Sequence, residues 1–383
     1  MNIYPLNISS QRDMKAVCEQ IGTDQRALAY LMPKSRMLHV YADDVDFRAA
    51  GFIKQEILAR GGDAAVTKHV IDGKAERSDV LIMATPTQLR SLQEKLKAMD
   101  IWGIKEFREK LADAVKNLNV HEWSMSSPAG HTITLSLHTK LMGILNVTPD
   151  SFFPESRVDE AGILTRAEAM LEEGAYILDV GAESTRPGAE PVSADEELGR
   201  LLPALRALRK NFPDAIISVD TYKPEVARAA VSEGADIIND VMFSAEMAEA
   251  VSEVNVPYVL SYYGRDDDMP GGMVRDLGGK LAVLEGAGVK REQVIVDPGL
   301  GFGKSATDNF AVLKDIESLR VWGCPVLVGH SRKRFTGTER LAGTLAVSAL
   351  MAGRVSLLRV HDVKENAAAL RIAEGVSGAR ERA

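Results

Sequence analysis

Acidic and amide side chains close several short apolar runs in the second half of the sequence. These residues are Asn146, Asp179, Asp220, Asn239 and Asp297. A single Asp or Asn after a strand is typical of a turn, because both residues favour turn conformations. A set of buried carboxylates is different, since each costs on the order of several kcal/mol unless a cation or a hydrogen-bond donor satisfies it. The set therefore predicts a ligand site, and a neutral aromatic heterocycle with several N–H donors would satisfy several of these groups at once.

Basic side chains follow the last two apolar runs. Ser331, Arg332 and Lys333 come after one run, and Arg359 and His361 stand at the end of the other. Taken alone, the Ser-Arg-Lys-Arg sequence that starts at Ser331 is equally typical of the solvated start of a helix. Guanidinium groups, however, suit forked recognition of anionic oxygens. Beside the acidic set, the basic residues predict a site for a small anion such as a phosphate.

Two loops carry residues suited to ligand contact. Thr185, Arg186 and Pro187 lie in one loop, where a Pro-Gly pair predicts a sharp turn and Arg186 offers a guanidinium to an anion. Three glycines occupy alternate positions of residues 299–303 in the other. This loop does not meet the GxxxxGK[ST] pattern of a nucleotide-binding P-loop, and a lone glycine triplet does not by itself indicate a dinucleotide site. Close approach of the backbone to a flat ligand explains the glycines as well.

Evenly spaced apolar runs of strand length must position these groups. Eight runs alternate with segments of helical periodicity, which favours a parallel sheet because each parallel connection needs a crossover. Eight such units in about 240 residues fit a (β/α)8 TIM barrel better than the alternative, an open α/β sheet, and all barrel strands open their C-terminal ends on one face. The scattered polar residues would therefore converge. The predicted strands are Met142–Val147, Tyr176–Val180, Ile216–Val219, Asp236–Ile238, Tyr258–Leu260, Val294–Val296, Val326–Val328 and Ser356–Val360.

The length of 383 residues leaves room for a second domain. Domains usually hold about 100–200 residues, and α/β barrels run to about 250. We predict a small accessory α/β domain of unknown role over residues 1–138 and the barrel over residues 139–383. The first part contains short apolar runs and helical segments but no cluster of catalytic groups.

Charge and cysteine content narrow the expected binding partners and the expected cellular compartment. The net charge of −8 argues against nucleic acid or an anionic membrane as a partner, because neither attracts a protein of like charge. The two cysteines, Cys18 and Cys324, are too few for a disulfide framework or a zinc site. The N-terminus lacks the pattern of a signal peptide. No apolar run approaches the ~20 residues that span a bilayer. We expect a cytoplasmic protein that binds small molecules.

From Leu141 to Gly375 the sequence resembles the dihydropteroate synthases, which are pterin-binding enzymes of folate biosynthesis. Seven motifs in order along the chain carry the resemblance, and together they are highly specific. They are MGILNVTPDSF (142–152), DVGAESTRPGA (179–189), SVDTYKPEVA (218–227), GADIINDV (234–241), VDPGLGFGKS (296–305), GHSRKRF (329–335) and RVHDV (359–363). The family fold is a (β/α)8 barrel, which agrees with the strand count.

The resemblance implies a transferase that condenses 6-hydroxymethyl-7,8-dihydropterin diphosphate with 4-aminobenzoate to give 7,8-dihydropteroate and diphosphate. It implies catalytic roles for Asp179, Asp220, Arg359 and His361, a Mg²⁺ ion held in part by Asn146, and a homodimer. The substrate-binding residues that it implies are Thr185, Arg186, Pro187, Asp220, Asn239, Asp297, Phe302, Gly329, Ser331, Lys333, Arg359 and His361.

The sequence departs from the family pattern at two places. Residues 153–157 replace the usual continuation of the first motif, and the Met-His-Met stretch after the fifth strand is replaced by Ser261, Tyr262 and Tyr263. We expect Tyr262 or Tyr263 to stack on the pterin in place of the missing Met. His330 stands where a small or apolar residue is common, and we expect it to be structural.

Two other classes of protein stay open. Methyltetrahydrofolate–corrinoid methyltransferase domains share the barrel and the pterin anchors, but they need neither the STRPG loop nor the SRK and RVHD residues. A non-catalytic pterin-binding protein would bind the heterocycle and release no diphosphate. A requirement for a diphosphate on the pterin, as opposed to a cobalamin partner, separates the first alternative from the synthase.

Overall fold

The computed structural model describes residues 1–8, 10–147, 160–183, 192–264 and 269–377. The chain divides into two compact units, Met1–Lys116 and Asn117–Ala383. The boundary predicted from the sequence, residue 138, lies later than this division. The difference arises because residues 117–138 contain a hairpin that packs on the barrel of the second unit.

The first unit is a small α/β fold, as predicted. Its strands β1 (Leu38–Asp46), β2 (Asp63–Val66) and β3 (Arg77–Ala84) form an antiparallel sheet in the order β1–β3–β2. Alternate residues of β3, Val80 and Ile82, pack with Ile53 and Ile57 of a helix to form a buried core. The helices are α1 (Gln11–Ile21), α2 (Gln25–Leu31), α3 (Phe47–Leu58), α4 (Pro86–Leu96) and α5 (Ile104–Asn117).

The second unit contains a hairpin and eight successive strand–helix units within the described residues. The hairpin strands are β4 (Glu122–Ser126) and β5 (Thr132–Ser136). The barrel strands are β6 (Lys140–Asn146), β7 (Ala175–Gly181), β8 (Ile216–Asp220), β9 (Ile237–Asp240), β10 (Tyr258–Ser261), β11 (Val294–Asp297), β12 (Leu327–Gly329) and β13 (Leu357–Val360). The helices that follow them in turn are α6 (Glu160–Glu172), α7 (Ala194–Asn211), α8 (Pro224–Ser232), α9 (Ala245–Val254), α10 (Gly271–Gly286), α11 (Ala306–Lys314), α12 (Arg340–Met351) and α13 (Val363–Ser377).

Parallel pairing closes the eight strands into a barrel. Strands β6 to β11 are neighbours in chain order, and β13 lies between β6 and β12. Each of these pairs is parallel. A parallel bridge between Val296 and Val326 joins β11 to the start of β12 and completes the ring. The predicted (β/α)8 barrel is confirmed, and each predicted strand overlaps an observed one.

Strand alternation divides the apolar residues of the barrel into two cores. On β7, Leu178 and Val180 face the surrounding helices, whereas Ile177 faces the barrel interior, because successive strand residues point to opposite sides. Every barrel strand contributes one apolar residue to the interior cluster. These residues are Met142, Ile177, Ile216, Ile237, Val259, Ile295, Leu327 and Leu357. They form one apolar layer at the N-terminal end of the barrel.

The hairpin covers this apolar layer. Trp123 and Met125 of β4 and Ile133 and Leu135 of β5 belong to the same buried cluster as the layer. A polar contact adds to the attachment, since Ser127 Oγ donates to the buried Asp236 carboxylate at 2.6 Å. The N-terminal end of the barrel is therefore sealed, and the C-terminal strand ends remain to form a site.

The helices of the barrel are less clear in the sequence than its strands. The stretch after β11, for example, is divided between α11 and a 3-10 helix, Ile316–Trp322. In α10 the buried Met273, Leu277, Leu281 and Leu284 keep the helical spacing, but the glycines between them weaken the signal. Among the described residues, no helix is both long and apolar enough to cross a membrane.

Candidate active site

Mostly polar residues occupy the inward positions above the apolar layer. Two residues beyond each apolar position, the strands carry Ile144, Asp179, Ser218, Asn239, Ser261, Asp297, Gly329 and Arg359. Two residues further, Asn146, Gly181 and Asp220 end the first three barrel strands, and Ser331 and His361 follow the last two. The period of two along a strand therefore brings most of the predicted site residues to one end of the barrel.

Arg359 joins the acids of two neighbouring strands. Its Nε donates to Asp179 Oδ2 and its Nη2 donates to Asp220 Oδ2, each at 2.5 Å. Asn239 Nδ2 donates to the same Asp179 oxygen at 3.2 Å. Asp179 is fully buried and Asp220 is only 7% exposed. Asp220 Oδ1 has no hydrogen-bond partner among the described residues, so one oxygen of this carboxylate is left for a ligand.

Lys333 and Asp297 are the other charged residues of the site, and their charges interact. Asp297 Oδ1 accepts from the Gly299 amide at 2.8 Å. Lys333 Nζ donates to the Leu300 carbonyl and lies 4.6 Å from the centroid of the Phe302 ring. Gly299 has a φ of 60°, and a Cβ there would lie 1.8 Å from a backbone oxygen, so the turn that places these groups requires glycine.

Two glycines leave space between the polar groups. A Cβ at Gly329 would lie 3.8 Å from Asp297 Oδ2 and 4.0 Å from Arg359 Cδ. A Cβ at Gly181 would lie 3.7 Å from Asn146 Oδ1 and 3.9 Å from Asp220 Oδ2. The two gaps place Asp297 next to Arg359 and Asn146 next to Asp220. Through Arg359, which also binds Asp179 and Asp220, these residues lie near one another at the C-terminal end of the barrel.

Burial and neighbouring charges shift the pKa values of several side chains in the site. Burial raises the pKa of Asp220 to about 7, with the charge of Asp179 adding to the rise and Arg359 opposing it. Burial likewise raises the pKa of Asp297 against the charge of Lys333. Burial lowers the pKa of Lys333 to about 8, opposed by Asp297. Although burial favours the neutral form of Arg359, Asp179 and Asp220 raise its pKa. The guanidinium is thus the permanent charge of the site.

Ser331 and His361 lie together at the rim. His361 Nδ1 is 3.0 Å from Ser331 Oγ, and the His361 amide donates to the same oxygen at 3.2 Å. Arg332 departs from the prediction that it adds charge to the mouth, because its guanidinium pairs with the Asp362 carboxylate. Thr185, Arg186 and Pro187 lie outside the described residues.

The aromatic residues of the fifth strand end are divided between two sides. Tyr262 belongs to the core between strands and helices, and Lys304 Nζ lies 4.5 Å from its ring centroid. Tyr263 is 52% exposed and packs against Phe302, with 5.4 Å between ring centroids. Of the two tyrosines predicted to stack on a ligand, the structure therefore leaves Tyr263 at the mouth. His330 is fully buried and its Nε2 lies 2.8 Å from Ser348 Oγ, which fits the structural role predicted for it.

Sequence reasoning missed a second ionic network beside the site. Lys223, after β8, bridges Glu183 after β7 and Glu197 of α7, and Tyr222 donates to Glu183 at 3.0 Å. Glu183 also accepts from the Val192 amide at 3.3 Å. The motifs at 179–189 and 218–227 contain Glu183 and Lys223, so a charge pair between strand ends was a readable signal.

An open cleft of about 890 Å³ lies at the opposite end of the barrel, beside the starts of β6 and β7. Its lining includes Lys140, Glu172, Tyr176 and Arg371. None of the predicted site residues lines it. Ligand sites of this fold occur at the C-terminal strand ends. The polar layers, rather than this cleft, are therefore the candidate active site.

Comparison with known proteins places the second unit in a family. The sequence profile described as "Pterin binding enzyme" matches residues 142–361. The dihydropteroate synthase of Bacillus subtilis is 42% identical over 265 residues, which cover 62% of this chain and 93% of that protein. A solved structure of Xanthomonas albilineans dihydropteroate synthase with 4-aminobenzoic acid superposes with a TM-score of 0.60 at 39% identity, covering 66% of this chain and 99% of the other. The chain belongs to the pterin binding enzyme family, and within it to the dihydropteroate synthases.

A longer relative matches more of the chain. The probable bifunctional folylpolyglutamate synthase/dihydropteroate synthase of Halobacterium salinarum is 40% identical over 354 residues, which cover 86% of this chain. The chain spans only 42% of the length of that relative. Because the second unit holds 267 of the 383 residues, a match over 86% of the chain extends into the first unit.

Proposed function

We propose that the second unit condenses 6-hydroxymethyl-7,8-dihydropterin diphosphate with 4-aminobenzoate to give 7,8-dihydropteroate and diphosphate. The observation that carries the proposal is the guanidinium of Arg359 held between Asp179 and Asp220, with Asp297 across the gap at Gly329 and the charge of Lys333 nearby. This arrangement offers acceptors for a flat heterocycle next to a permanent cation for its diphosphate.

The pterin is bound by the buried polar groups. Asn239 and Asp297 accept hydrogen bonds from the N–H edge of the ring, and Lys333 donates to it. The carboxylate of Asp297 is 7% exposed, so a hydrogen bond to it is shielded from water. Asp220 contributes the oxygen that has no partner among the described residues. Gly329 leaves the gap into which the ring fits.

The diphosphate leaves toward the cationic side of the site. Nη1 of Arg359 makes no hydrogen bond within the described part of the chain, since Nε and Nη2 bind the two acids. Arg359 and His361 stabilise the negative charge that develops on the leaving group, and Asp179 and Asp220 stabilise the positive charge on the pterin methylene. The route is dissociative, and no covalent enzyme intermediate forms. Release of diphosphate in the absence of 4-aminobenzoate is the kinetic test, and strict dependence on the amine would contradict it.

The amine substrate is bound at the rim. Ser331 and Phe302 contact 4-aminobenzoate together with Thr185, Arg186 and Pro187. Tyr263, packed against Phe302, extends the aromatic wall. The neutral amine attacks the methylene from this side.

A Mg²⁺ ion fits the oxygen atoms beside Gly181. Asn146 Oδ1 and Asp220 Oδ2 both lie within 4 Å of the Cβ position of this glycine. Within the described residues, no group of three His, Cys, Asp or Glu side chains could hold a metal on its own. This donor set suits an ion that keeps water and phosphate oxygens as most of its ligands, as Mg²⁺ does. Bound Mg²⁺ supplies charge neutralisation on the diphosphate, and Asn146 is its protein ligand.

The remaining proposals concern the setting of the enzyme. The protein acts in the cytoplasm as a homodimer, and neither nucleic acid nor a membrane is a partner. The first unit is an accessory domain that contributes no group to the reaction. A functional boundary at residues 138–139 remains our proposal for where the catalytic sequence begins.

The direct experiment incubates the purified protein with the pterin diphosphate, 4-aminobenzoate and Mg²⁺ and measures 7,8-dihydropteroate and diphosphate. Two variants separate the roles. Asp297→Asn should weaken pterin binding by about 10-fold or more, because a charge-assisted hydrogen bond is lost. Arg359→Ala should mainly lower kcat, by about 100-fold or more. Pterin binding without product formation in the wild type would contradict the proposal and favour the non-catalytic alternative.

A further inference from the structure

Two buried hydroxyl groups of the barrel lack hydrogen-bond partners. Ser218 of β8 and Ser261 of β10 are 0% and 1% exposed. Neither Oγ has a hydrogen-bond partner among the described residues. Native proteins keep few such groups, because an unsatisfied buried polar atom loses its hydrogen bonds to water without replacement. A bound molecule that supplies the missing hydrogen bonds accounts for both.

Strand alternation points both hydroxyls into the site. Ser218 stands two residues after the inward-facing Ile216, and Ser261 stands two residues after the inward-facing Val259. The residue between each pair belongs to the core that faces the helices. The two serines therefore face the barrel interior, one level above the apolar layer.

Each serine is also the register neighbour of a site acid. Ser218 pairs with Asp179 across β7 and β8, and Ser261 pairs with Asp297 across β10 and β11. The hydroxyls thus lie in the same level of the barrel as the carboxylates that bind Arg359 and face Gly329. Ser261 further lies in the stretch that replaces Met-His-Met of the family pattern, so the pocket of this chain has a hydroxyl within that stretch.

We infer that Ser218 and Ser261 are substrate-contacting residues whose hydroxyls hydrogen-bond to the polar edge of the pterin ring. The inference rests on the proposed function, because it adds contacts to the same site. A hydroxyl can donate and accept and can rotate to suit its partner. Two of them match a heterocycle whose edge carries both N–H donors and nitrogen or oxygen acceptors. Ionised carboxylates can only accept hydrogen bonds, whereas the two hydroxyls can also donate to the acceptor atoms of the pterin ring.

The barrel offers a matched control for these residues. Ser356, just before β13, is also fully buried and its Oγ also has no partner among the described residues. It precedes the inward-facing Leu357 by one residue, so it faces away from the interior, and it lies at the sealed end of the barrel. Ser356→Ala removes the same atoms from an equally buried position outside the site.

The experiment compares Ser218→Ala, Ser261→Ala and Ser356→Ala with the wild-type full-length chain. Calorimetric titration with 6-hydroxymethyl-7,8-dihydropterin diphosphate and Mg²⁺ gives Kd, and initial rates give KM for 4-aminobenzoate. We expect Ser218→Ala and Ser261→Ala each to raise the pterin Kd by about 2- to 12-fold, the value of one hydrogen bond. KM for 4-aminobenzoate and binding of inorganic diphosphate should not change, since neither molecule contains the pterin ring.

Stability of the ligand-free protein separates a ligand contact from a structural role. Removing an unsatisfied hydroxyl should leave Tm unchanged or raise it in all three variants. Wild-type-like pterin binding by Ser218→Ala and Ser261→Ala, or an equal loss of binding in Ser356→Ala, would overturn the inference while leaving the proposed function intact. If the wild type forms no dihydropteroate and binds no pterin diphosphate, the proposed function fails and the inference fails with it.

Discussion

At the scale of residues, the site is built around one guanidinium shared by two carboxylates. Arg359 is 21% exposed at its side chain, whereas Asp179 and Asp220 are almost completely buried. Burial raises the pKa of Asp220 to about 7, and the charge of Asp179 adds to this rise while Arg359 opposes it. A diphosphate that binds Arg359 competes with these two acids for the guanidinium. A pterin that donates hydrogen bonds to the acids compensates for the hydrogen bonds that they lose.

The titration of Asp220 predicts a pH dependence of folding. The ordinary pKa of an aspartate carboxyl is 3.8, whereas the pKa of Asp220 in the folded protein is about 7. Between these two pH values, the folded state therefore binds more protons than the unfolded state. Stability from this group is complete at low pH and is lost as the pH rises through the folded pKa. Asp220→Asn keeps an acceptor oxygen for Arg359 but cannot titrate. We expect the Tm of the wild type to fall relative to the Tm of Asp220→Asn as the pH is raised from 4 to 7. A pH-independent difference would contradict this assignment.

The gap at Gly329 predicts a loss of binding without a loss of folding. An Ala methyl group at this position makes ordinary contacts with Asp297 and Arg359 but fills the space between them. We expect Gly329→Ala to weaken pterin binding by about 1–3 kcal/mol, or about 5- to 150-fold in Kd, with little change in Tm. Gly279→Ala in α10 is the matched control, because no atom lies within 4 Å of its Cβ position. Unchanged pterin affinity in Gly329→Ala would show that the ring does not enter this gap.

At the scale of elements, the apolar runs made the strands predictable, and the polar residues that close these runs marked the strand ends. The structure adds a period of two along each strand: on β7, Ile177 is an apolar base, Asp179 a buried acid and Gly181 an open position. The missed serines follow the same spacing, but a serine in a strand is common and only its missing hydrogen bond marks it. The partners of Arg332 and Tyr262 could not be predicted, because they depend on how the chain turns after the strand.

The hairpin escaped prediction for a similar reason. Residues 124–130 contain Ser, Pro and Gly together, a composition typical of a linker, whereas residues 122–126 are a strand and Ser127 is buried against Asp236. The local composition describes only the turn of the hairpin. Its long-range partner, the apolar layer of the barrel, is absent from the local sequence.

The hairpin should contribute to stability but not to catalysis. Ile133 is fully buried in the cluster that seals the barrel, and Thr134 is exposed on the other face of the same strand. We expect Ile133→Ala to lower the free energy of unfolding by about 2–5 kcal/mol, and Thr134→Ala to leave it nearly unchanged. Urea denaturation measures both. kcat and KM of the folded Ile133→Ala protein should match wild type, and a selective loss of kcat would imply that the hairpin reaches the site.

At the scale of the whole molecule, the described site lies within one unit. Asn146 through His361 all belong to the unit that starts at Asn117, and the first unit has its own buried core. The match to a longer bifunctional relative includes part of that first unit, whereas the match to Bacillus subtilis dihydropteroate synthase covers 62% of the chain.

A fragment of residues 117–383 should therefore keep the reaction. It retains the hairpin, the barrel and every described site residue. We expect its kcat/KM for both substrates to equal that of the full chain when both are assayed with Mg²⁺. A fragment of residues 139–383, which loses the hairpin and exposes the apolar layer, serves as the comparison and should aggregate. Loss of activity in a folded 117–383 fragment would assign the first unit a part in catalysis.

In the described residues the hairpin closes the N-terminal end of the barrel, so the substrates and products of the proposed reaction would pass through the C-terminal end. The polar level that contains Asn239 and Asp297 lies below the rim where Phe302 and Tyr263 meet. The molecule that occupies the lower level must then enter first, and whatever fills the rim obstructs its exit. Substrate binding and product release should therefore follow a compulsory order. Dihydropteroate should then inhibit competitively against the pterin and noncompetitively against the amine.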